Sequence, residues 1–387
     1  MPIPGRREID YIDTASVTEG VLHNIQNLNE KFPSRAQREV VANDILISSV
    51  RPNLKHNYLV KTANNGMIAS SGFIHIRINS KAKISPNFLY YYLTSPAKID
   101  YYTKIAECSQ SAYPSFNKNV IEEIEFPNVD LPTQLRIADI LGSLDEKIEV
   151  NRKKIAELEA LAKTIYDYWF VQFNFPDKNG KPYKSSGSKM VWNEQLKREV
   201  PEGWEVELLP HIADFLFGNP FDSSLFTSSG EGFPIVRIRN VKDGFTSDRT
   251  TESASEEYII HNGDFLIGMD GYFDMNHWIG GDAYLVQRSC KISTKDDLYA
   301  AWLSMSLESP IQHLEKSLTG ATLAHLGKAH LDKIVLLKPP TSMTNALSLL
   351  NNLIKQKVHL GTVNLELVRQ RDELLPLLMN GQVEVKD

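Results

Sequence analysis

The side chains of this sequence that could do chemistry are basic, amide and hydroxyl groups gathered in short clusters. Two clusters stand out, namely Ser49, Arg51, Asn53 and Lys55 around a proline, and Arg237, Arg239 and Asn240 further along the chain. Side chains of these types recognise the base edges and phosphates of nucleic acids through hydrogen bonds. The chemistry that they predict is recognition of a polar ligand.

No motif for catalysis or cofactor binding accompanies these clusters. The sequence has no GxGxxG, no GxxxxGK[ST] and no GxSxG. His325 and His330 have a zinc-finger spacing, but no CxxC precedes them, so we expect surface or loop positions. The stretch NPF at 219–221 lacks the second proline of a methyltransferase loop, and we expect a turn there. The sequence thus predicts a binding protein that is not an enzyme and holds no metal or cofactor.

The composition is that of an ordinary globular protein. The 387 residues predict two to three domains, and 42% of them are hydrophobic against 23% charged. A net charge of −6 does not by itself indicate a nucleic-acid binder, so such a role would depend on local clusters. No run approaches the ~18 apolar residues of a membrane span, which favours a soluble, cytoplasmic protein. Cys108 and Cys290 are too few for a disulfide framework, and we expect both in the core.

An internal repeat runs along the sequence, with its matching segments in constant order. Residues 17–20 match 241–244, an offset of 224, and residues 157–158 match 366–367, an offset of 209. Loops that change length independently in two copies of one domain produce such a drifting offset.

Each copy combines short strand-like runs, such as residues 73–78 and 234–238, with a long helix. The helices carry seams of mostly apolar residues at heptad spacing, namely Leu141, Leu144, Ile148, Asn151, Ile155, Leu158 and Ile165, and Leu353, Leu360, Leu367 and Leu374. Each helix could pack only on its own globular part. The polar Asn151 favours packing of the two helices on each other, because a lone buried asparagine fixes helix register.

Seven stretches of the sequence follow the pattern of one protein family. They are SRAQR at 34–38, DILISSVRPNL at 44–54, SSGF at 70–73, AYPSFN at 112–117, LPTQLRIADILGSLDEKIEVNRKKIAELE at 131–159, WFVQFNFPDKNGKPYKSSGSKM at 169–190 and VPEGWE at 200–205. With the repeat, the chain resembles the specificity subunits of type I restriction-modification systems over nearly its whole length. The helical stretch is the most specific part.

The resemblance implies an α+β fold of two mixed α/β target recognition domains, related by a pseudo-twofold axis and separated by an antiparallel coiled-coil pair of long helices. The implied regions are a first domain at 1–130, a central helix at 131–175, a linker and second domain at 176–338, and a distal helix at 339–387. The first domain would be short at its N-terminus, since it lacks a counterpart of residues 201–229.

The resemblance also implies a function and partners. Such a subunit is not catalytic and reads a bipartite, asymmetric target in double-stranded DNA, with a nonspecific spacer set by the helix pair. It would bind two modification (methyltransferase) subunits and, through the complex, restriction (translocase/nuclease) subunits. S-adenosylmethionine and ATP would be bound by those partners and not by this chain.

The residues expected to contact DNA have hydrogen-bonding or aromatic side chains in predicted loops. They are Arg35, Arg38, Ser49, Arg51, Asn53, Lys55, Tyr113 and Ser115 in the first domain, and Arg237, Arg239, Asn240, Asp270, Tyr272, Thr322, His325 and Lys328 in the second. Asp270 could accept a hydrogen bond from cytosine, whereas Tyr113 could equally be a core residue. Strand alternation predicts Arg237 and Arg239 on one face. For any one of these residues, solvated surface is the alternative to a DNA contact.

Two other functions stay open at this stage. A stand-alone DNA-modifying enzyme is disfavoured by the missing cofactor motifs. A coiled-coil scaffold with no nucleic-acid role is favoured only by the acidic balance of the chain.

Overall fold

The chain folds into two units, each with its own sheets and apolar core. The structure is a computed structural model that describes residues 8–64, 66–109, 113–228, 230–318 and 324–382. The first unit comprises Met1–Lys147 and Leu367–Asp387, and the second unit comprises Ile148–Glu366.

The first unit contains short strands followed by helices. In chain order they are β1 (Glu8–Ile12), β2 (Val17–Thr18), β3 (Val21–Leu22), β4 (Gln26–Asn29), β5 (Ala36–Glu39), β6 (Ile45–Ser48), β7 (Asn57–Leu59), β8 (Met67–Ser70), β9 (Phe73–Ile76), α1 (Pro86–Leu93), α2 (Pro96–Glu107) and α3 (Asn119–Glu122). One sheet has the order β4-β1-β8-β5 and another the order β7-β6-β9. All four residues of β6 are buried, as expected for a β-branched apolar run in the centre of a sheet.

Local sequence signals fix the helices of the first unit. The Ser85 side chain caps α1 by accepting a hydrogen bond from the Phe88 amide, and Pro86 occupies the first turn. Pro96 begins α2 in the same way, and Cys108 caps its exposed C-terminal end. The expectation of a core position for Cys108 is therefore wrong, whereas Cys290 is buried.

The second unit alternates strands with short helices between parts of two long helices. In chain order the elements are α4 (Leu131–Tyr166), β10 (Met190–Asn193), β11 (Arg198–Pro201), β12 (Glu205–Leu208), α5 (Leu209–Ile212), β13 (Ala213–Phe217), β14 (Phe226–Thr227), β15 (Phe233–Val236), α6 (Ile238–Val241), β16 (Arg249–Thr250), β17 (Ile259–Ile260), β18 (Phe265–Gly268), β19 (Met275–His277), β20 (Ala283–Leu285), β21 (Ser289–Thr294), α7 (Ala300–Ser306), α8 (Glu308–Leu318), α9 (Lys328–Leu331), β22 (Val335–Lys338) and α10 (Thr344–Met379). The two larger sheets have the orders β13-β21-β18-β19 and β14-β16-β15-β20-β17.

The long helices α4 and α10 contact each other, as the sequence predicts. In the first unit, Arg371 Nη1 lies 2.8 Å from Asp145 Oδ1. In the second unit, Asn151 Nδ2 donates to Asn364 Oδ1 at 2.9 Å, and Lys357 Nζ lies 2.8 Å from Glu159 Oε1. Positions along α10 fall as those along α4 rise in the second unit, so the two helices are antiparallel there.

The predicted seam residues lie on the inward side of both helices. Leu141, Ile148, Asn151 and Leu353 are buried, and Leu144, Ile155, Leu158, Ile165, Leu360, Leu367 and Leu374 are half-buried. The helices also pack on their globular parts, since Leu347 and Leu350 join the core around Trp302, and Leu375 joins the core around Phe88. The helices therefore pack both on each other and on their globular parts, and the alternative of packing on the globular parts alone is wrong.

Candidate nucleic-acid interface

The loop after β6 pairs with the segment before α3. The Arg51 amide donates to the Pro114 carbonyl at 2.8 Å, and the Phe116 amide donates to the Ser49 carbonyl at 3.0 Å. We call residues 49–51 and 114–116 the first loop pair. Its hydrogen bonds fix the backbone of Arg51 at φ 46°, a left-handed conformation that is uncommon for residues other than glycine.

Arg51 and Tyr113 present their side chains together at the first loop pair. The Arg51 guanidinium lies 5.3 Å from the centroid of the Tyr113 ring, a cation–π distance. Tyr113 is 64% exposed, so the alternative of a core position is wrong. An exposed aromatic ring beside an arginine is a surface on which a base can stack.

The other predicted residues near this loop differ in their surroundings. The Ser49 hydroxyl donates to the Gly72 carbonyl at 3.0 Å, a contact that shapes the loop. Asn53 is exposed in a short turn, Lys55 forms an exposed ion pair with Glu19 at 2.9 Å, and Ser115 is half-buried. The structure therefore brings Asn53 and Lys55 to the surface beside Arg51.

The loop after β18 pairs with the segment before α9 in the second unit. The Gly271 amide donates to the Ala324 carbonyl at 2.9 Å, and the Leu326 amide donates to the Met269 carbonyl at 2.7 Å. We call residues 269–271 and 324–326 the second loop pair. Gly271, with φ 73°, occupies the position that Arg51 occupies in the first loop pair.

Asp270 is the centre of a charged cluster at the second loop pair. Its Oδ1 lies 2.5 Å from His325 Nδ1, and its Oδ2 lies 3.3 Å from Arg288 Nε. The Asp270 side chain is 13% exposed, against 62% for His325 and 63% for Arg288. Asp270 therefore supports two basic side chains and is not the open acceptor for cytosine that the sequence suggests.

Arg288 is the residue of this cluster that the sequence analysis misses. Its carbonyl accepts a hydrogen bond from the Met269 amide at 2.9 Å, just as the Gly72 carbonyl accepts one from the Ser49 amide at 3.1 Å. The position of the first unit that matches Arg288 is thus Gly72. Because glycine has no side chain, a comparison of polar clusters between the two units does not point to Arg288. A signal that could have found it is that Gly72 and Arg288 each lie directly before a strand whose first residue is buried.

Arg237, Arg239 and Asn240 lie at the start of a helix and not in the strand that the sequence predicts. Strand β15 ends at Val236, and the chain turns into α6, because the Asn240 side chain accepts a hydrogen bond from the Arg237 amide at 2.9 Å. The expected strand alternation of the two arginines is therefore wrong.

Both arginines converge instead on one carboxylate. Arg239 binds the nearly buried Asp248 through Nη2 at 2.7 Å, and Arg237 Nη1 lies 3.9 Å from the same carboxylate. Truncation of Arg239 would leave Asp248 without its main partner, so loss of binding in such a variant could not be separated from loss of stability.

The remaining predicted residues are scattered over the surface. Arg35 and Arg38 are exposed at β5, Tyr272 is 78% exposed beside the second loop pair, and Lys328 pairs with Asp332 at 2.9 Å. Thr322 lies outside the described residues.

Each unit also has a carboxylate directly before its central strand, buried in the first unit and partly exposed in the second. Asp44 Oδ2 accepts from the Val41 amide and lies 2.8 Å from His75 Nε2, and its carboxylate binds Arg77. Burial raises the pKa of Asp44, but the hydrogen bonds from Arg77, the Val41 amide and His75 outweigh it, so that the pKa lies below its usual value. In the second unit, Asp264 Oδ2 accepts from the His261 amide and lies 3.0 Å from Lys291 Nζ.

Nothing in the described part of the chain resembles a metal centre: no group of three or more histidine, cysteine, aspartate or glutamate side chains could hold an ion there. Across the same residues, every helix is too short or too polar to cross a bilayer.

Comparison with known proteins finds relatives of one class. Residues 6–160 match the family model of the type I restriction modification DNA specificity domain. The chain is 21% identical over 437 aligned residues to the type I restriction enzyme HindI specificity subunit of Haemophilus influenzae, covering 96% of this chain and 94% of that protein. It is 23% identical over 378 residues to the MjaIX specificity subunit of Methanocaldococcus jannaschii, covering 94% and 83%. The resemblance to type I specificity subunits is thereby confirmed.

A solved structure agrees with this at the level of the fold. The type I restriction-modification system S subunit of M. genitalium superposes with a TM-score of 0.58 at 16% identity, covering 96% of this chain and 88% of that one. The likeness supports the mixed α/β architecture with two long helices.

Proposed function

We propose that this chain is the DNA sequence-recognition subunit of a type I restriction-modification complex, and that each of its two units reads one half of a split target. The observation that carries the proposal is the pair of matching loops. In each unit a loop after the central strand is joined to a second segment by two backbone hydrogen bonds, and an exposed arginine and an exposed tyrosine lie in or next to this loop pair.

The proposal treats the two units as copies of one domain. Leu46 pairs with Tyr58 and His75 on the neighbouring strands of the first unit. Leu266 pairs in the same way with Asn276 and Lys291 in the second. The agreement extends to the loop pairs, where the bridge between Val50 and Ser115 corresponds to that between Asp270 and His325. Equal registers at equal positions support descent from one repeated domain.

Different side chains at matching positions support an asymmetric target. The first loop pair offers Arg51 with Tyr113, whereas the second offers Arg288 with Asp270 and His325. The seam of α4 and α10 would set the nonspecific spacer between the half-sites. In this proposal the chain is not catalytic, acts in the cytoplasm, and assembles with modification and restriction subunits that bind S-adenosylmethionine and ATP.

A binding experiment tests the proposal. We expect the chain alone to bind random duplex DNA weakly and with strong salt dependence, because a protein of net charge −6 makes few phosphate contacts. With its modification subunits, it should bind one bipartite sequence in preference to random duplex. Methyl transfer by the isolated chain would instead indicate a DNA-modifying enzyme, and absence of any DNA binding in the complex would indicate a scaffold.

A further inference from the structure

The charged cluster of the second loop pair has no counterpart in the first. The matching positions of Asp270, Arg288 and His325 in the first unit are Val50, Gly72 and Ser115. The first unit forms the same backbone hydrogen bonds without a carboxylate, an arginine or a histidine at these positions. The charged side chains of the second unit are therefore not needed for the backbone structure. Their chemistry therefore points to a ligand of this unit alone.

We propose that Arg288 reads a guanine in the half-site of the second unit and that Asp270 is its positioning residue, an assignment that rests on the proposed function. Guanine presents two acceptors, O6 and N7, in the major groove, and arginine binds them with two parallel hydrogen bonds. Asp270 engages Arg288 through Nε. A guanidinium engaged through Nε can still offer its terminal nitrogens Nη1 and Nη2 as donors to the guanine edge.

The exposed fractions of the side chains in the cluster agree with a role for Arg288 in contacting the base and for Asp270 in supporting Arg288. Asp270 is 13% exposed and Arg288 is 63% exposed, so the carboxylate lies behind the guanidinium as seen from solvent. The most exposed aromatic of this loop, Tyr272, is 78% exposed and follows Asp270 by two positions. An arginine supported from behind loses less side-chain entropy on binding than a free one.

The same carboxylate argues against a phosphate as the ligand. A phosphate is attracted by net positive charge, which Asp270 reduces at a distance of 3.3 Å from Arg288 Nε. A base edge is neutral and instead rewards a fixed orientation of the guanidinium. The arrangement thus favours base reading over backbone contact.

The backbone of Arg288 adds an independent observation. Its φ of 71° is a left-handed conformation that glycine adopts at no steric cost. Such strain in a residue other than glycine is typical of functional positions. Arg288→Gly relieves this strain, and Asp270 keeps His325 at 2.5 Å as its nearer partner, which makes it a suitable test variant.

The test selects bound sequences from a library of random duplexes, using the full chain assembled with its modification subunits. The unaltered complex should select a G·C pair at a fixed position in one half-site. Arg288→Gly should reduce the preference for that pair by about 5- to 150-fold and leave the other half-site unchanged. Arg288→Lys should also relax this position, because an ammonium cannot make the parallel pair of hydrogen bonds.

Two further variants separate positioning from structure. Asp270→Asn, which keeps the size of the side chain, should relax the same base position by a smaller factor and leave the other half-site unchanged. Lys197→Gly is the matched control, since Lys197 is another basic residue with positive φ, at 51°, in the exposed turn between β10 and β11. We expect it to leave every base preference unchanged.

The possible contrary results are distinct. Unchanged preferences in Arg288→Gly, or selection of no guanine by the unaltered complex, would overturn the assignment while the bipartite target stands. Equal weakening at every position would identify a phosphate contact and also overturn it. Selection of no sequence at all by the unaltered complex would overturn the proposed function itself.

Discussion

The first and second loop pairs have the same backbone and different side chains. Both are closed by two reciprocal backbone hydrogen bonds, and both include a left-handed residue, which is Arg51 in one and Gly271 in the other. The arginine side chain comes from the left-handed position in the first unit and from the turn before β21 in the second. If these side chains read DNA as proposed, the same backbone hydrogen bonds support recognition groups from different positions, and the two half-sites can diverge without a change of fold.

The carboxylates before the two central strands, Asp44 and Asp264, provide the largest expected difference in stabilisation between the units. Asp44 is 1% exposed and binds Arg77 and His75, whereas Asp264 and its partner Lys291 are about one-fifth exposed. We expect Asp44→Ala to lower the free energy of unfolding by about 3 kcal/mol and Asp264→Ala to lower it by about 1 kcal/mol. Urea unfolding of the full chain measures both.

The pH dependence of this difference has a definite sign. Because the pKa of Asp44 is lowered in the folded chain, its stabilisation is present above about pH 4 and is lost as the pH falls through the folded value. The gap between the unaltered chain and Asp44→Ala should therefore close in acid. Equal losses in the two alanine variants at neutral pH would show that the two carboxylates are equivalent.

The first loop pair gives the next largest effect, on binding. Arg51→Gly places in the first unit the residue type that Gly271 supplies in the second, and it relieves the backbone strain at φ 46°. We expect a loss of about 1–3 kcal/mol in binding to the first half-site and no loss in the second. Competition between specific and random duplexes, measured on the assembled complex, provides the comparison. The same loss on random duplex would show that Arg51 does not read a base.

The contacts between the long helices include a polar amide pair in the second unit. Ion pairs link the helices in both units, Asp145 with Arg371 in the first and Glu159 with Lys357 in the second, and the amide pair of Asn151 with Asn364 is added in the second. Asn151→Ala should lower the free energy of unfolding by about 1–2 kcal/mol, because Asn364 Oδ1 loses its donor. Thermal unfolding of the single and double alanine variants tests this. If the two asparagines interact, the double variant loses less free energy of unfolding than the two single variants together. A loss in the double variant that exceeds this sum would contradict the prediction.

The smallest expected effect concerns a histidine with an apolar counterpart. His277 pairs with Phe265 in β18 as Leu59 pairs with Ile45 in β6. Burial, together with the charge of Lys357, lowers the pKa of His277 to about 3. The unfolded chain binds this proton first, so stability should fall by about 1 kcal/mol between pH 6.5 and 5.5. His277→Leu should remove this part of the pH dependence in urea unfolding, and an unchanged profile would refute the role of His277.

The parts of the fold that depend on periodicity could be predicted from the sequence. The heptad seam predicted the contact between the long helices, since Leu141 and Asn151 must be covered on a helix of this length. The strand expected through Ile238 was wrong, because one hydrogen bond from the Arg237 amide to the Asn240 side chain starts a helix there. Such local capping competes with strand alternation and is invisible to a pattern of apolar residues.

The candidate site was predictable only in part, and for a similar reason. The sequence singled out Asp270 and His325, as well as Arg51 and Tyr113, but it could not show which side chains would face each other. Arg288 was not predicted, because it is distant from Asp270 in sequence. The hydrogen bond from the Met269 amide to the Arg288 carbonyl brings the two segments together in the fold. Burial then decided the roles, since Tyr113 is exposed and Asp270 is not.

Mapping of methylated adenines in cells that carry this chain with its modification and restriction subunits tests the central claim most directly. Two units that each read a half-site should give a motif of two specified blocks, unlike in sequence, separated by a constant number of unspecified base pairs. A single continuous block, or methylation without any motif, would contradict the account.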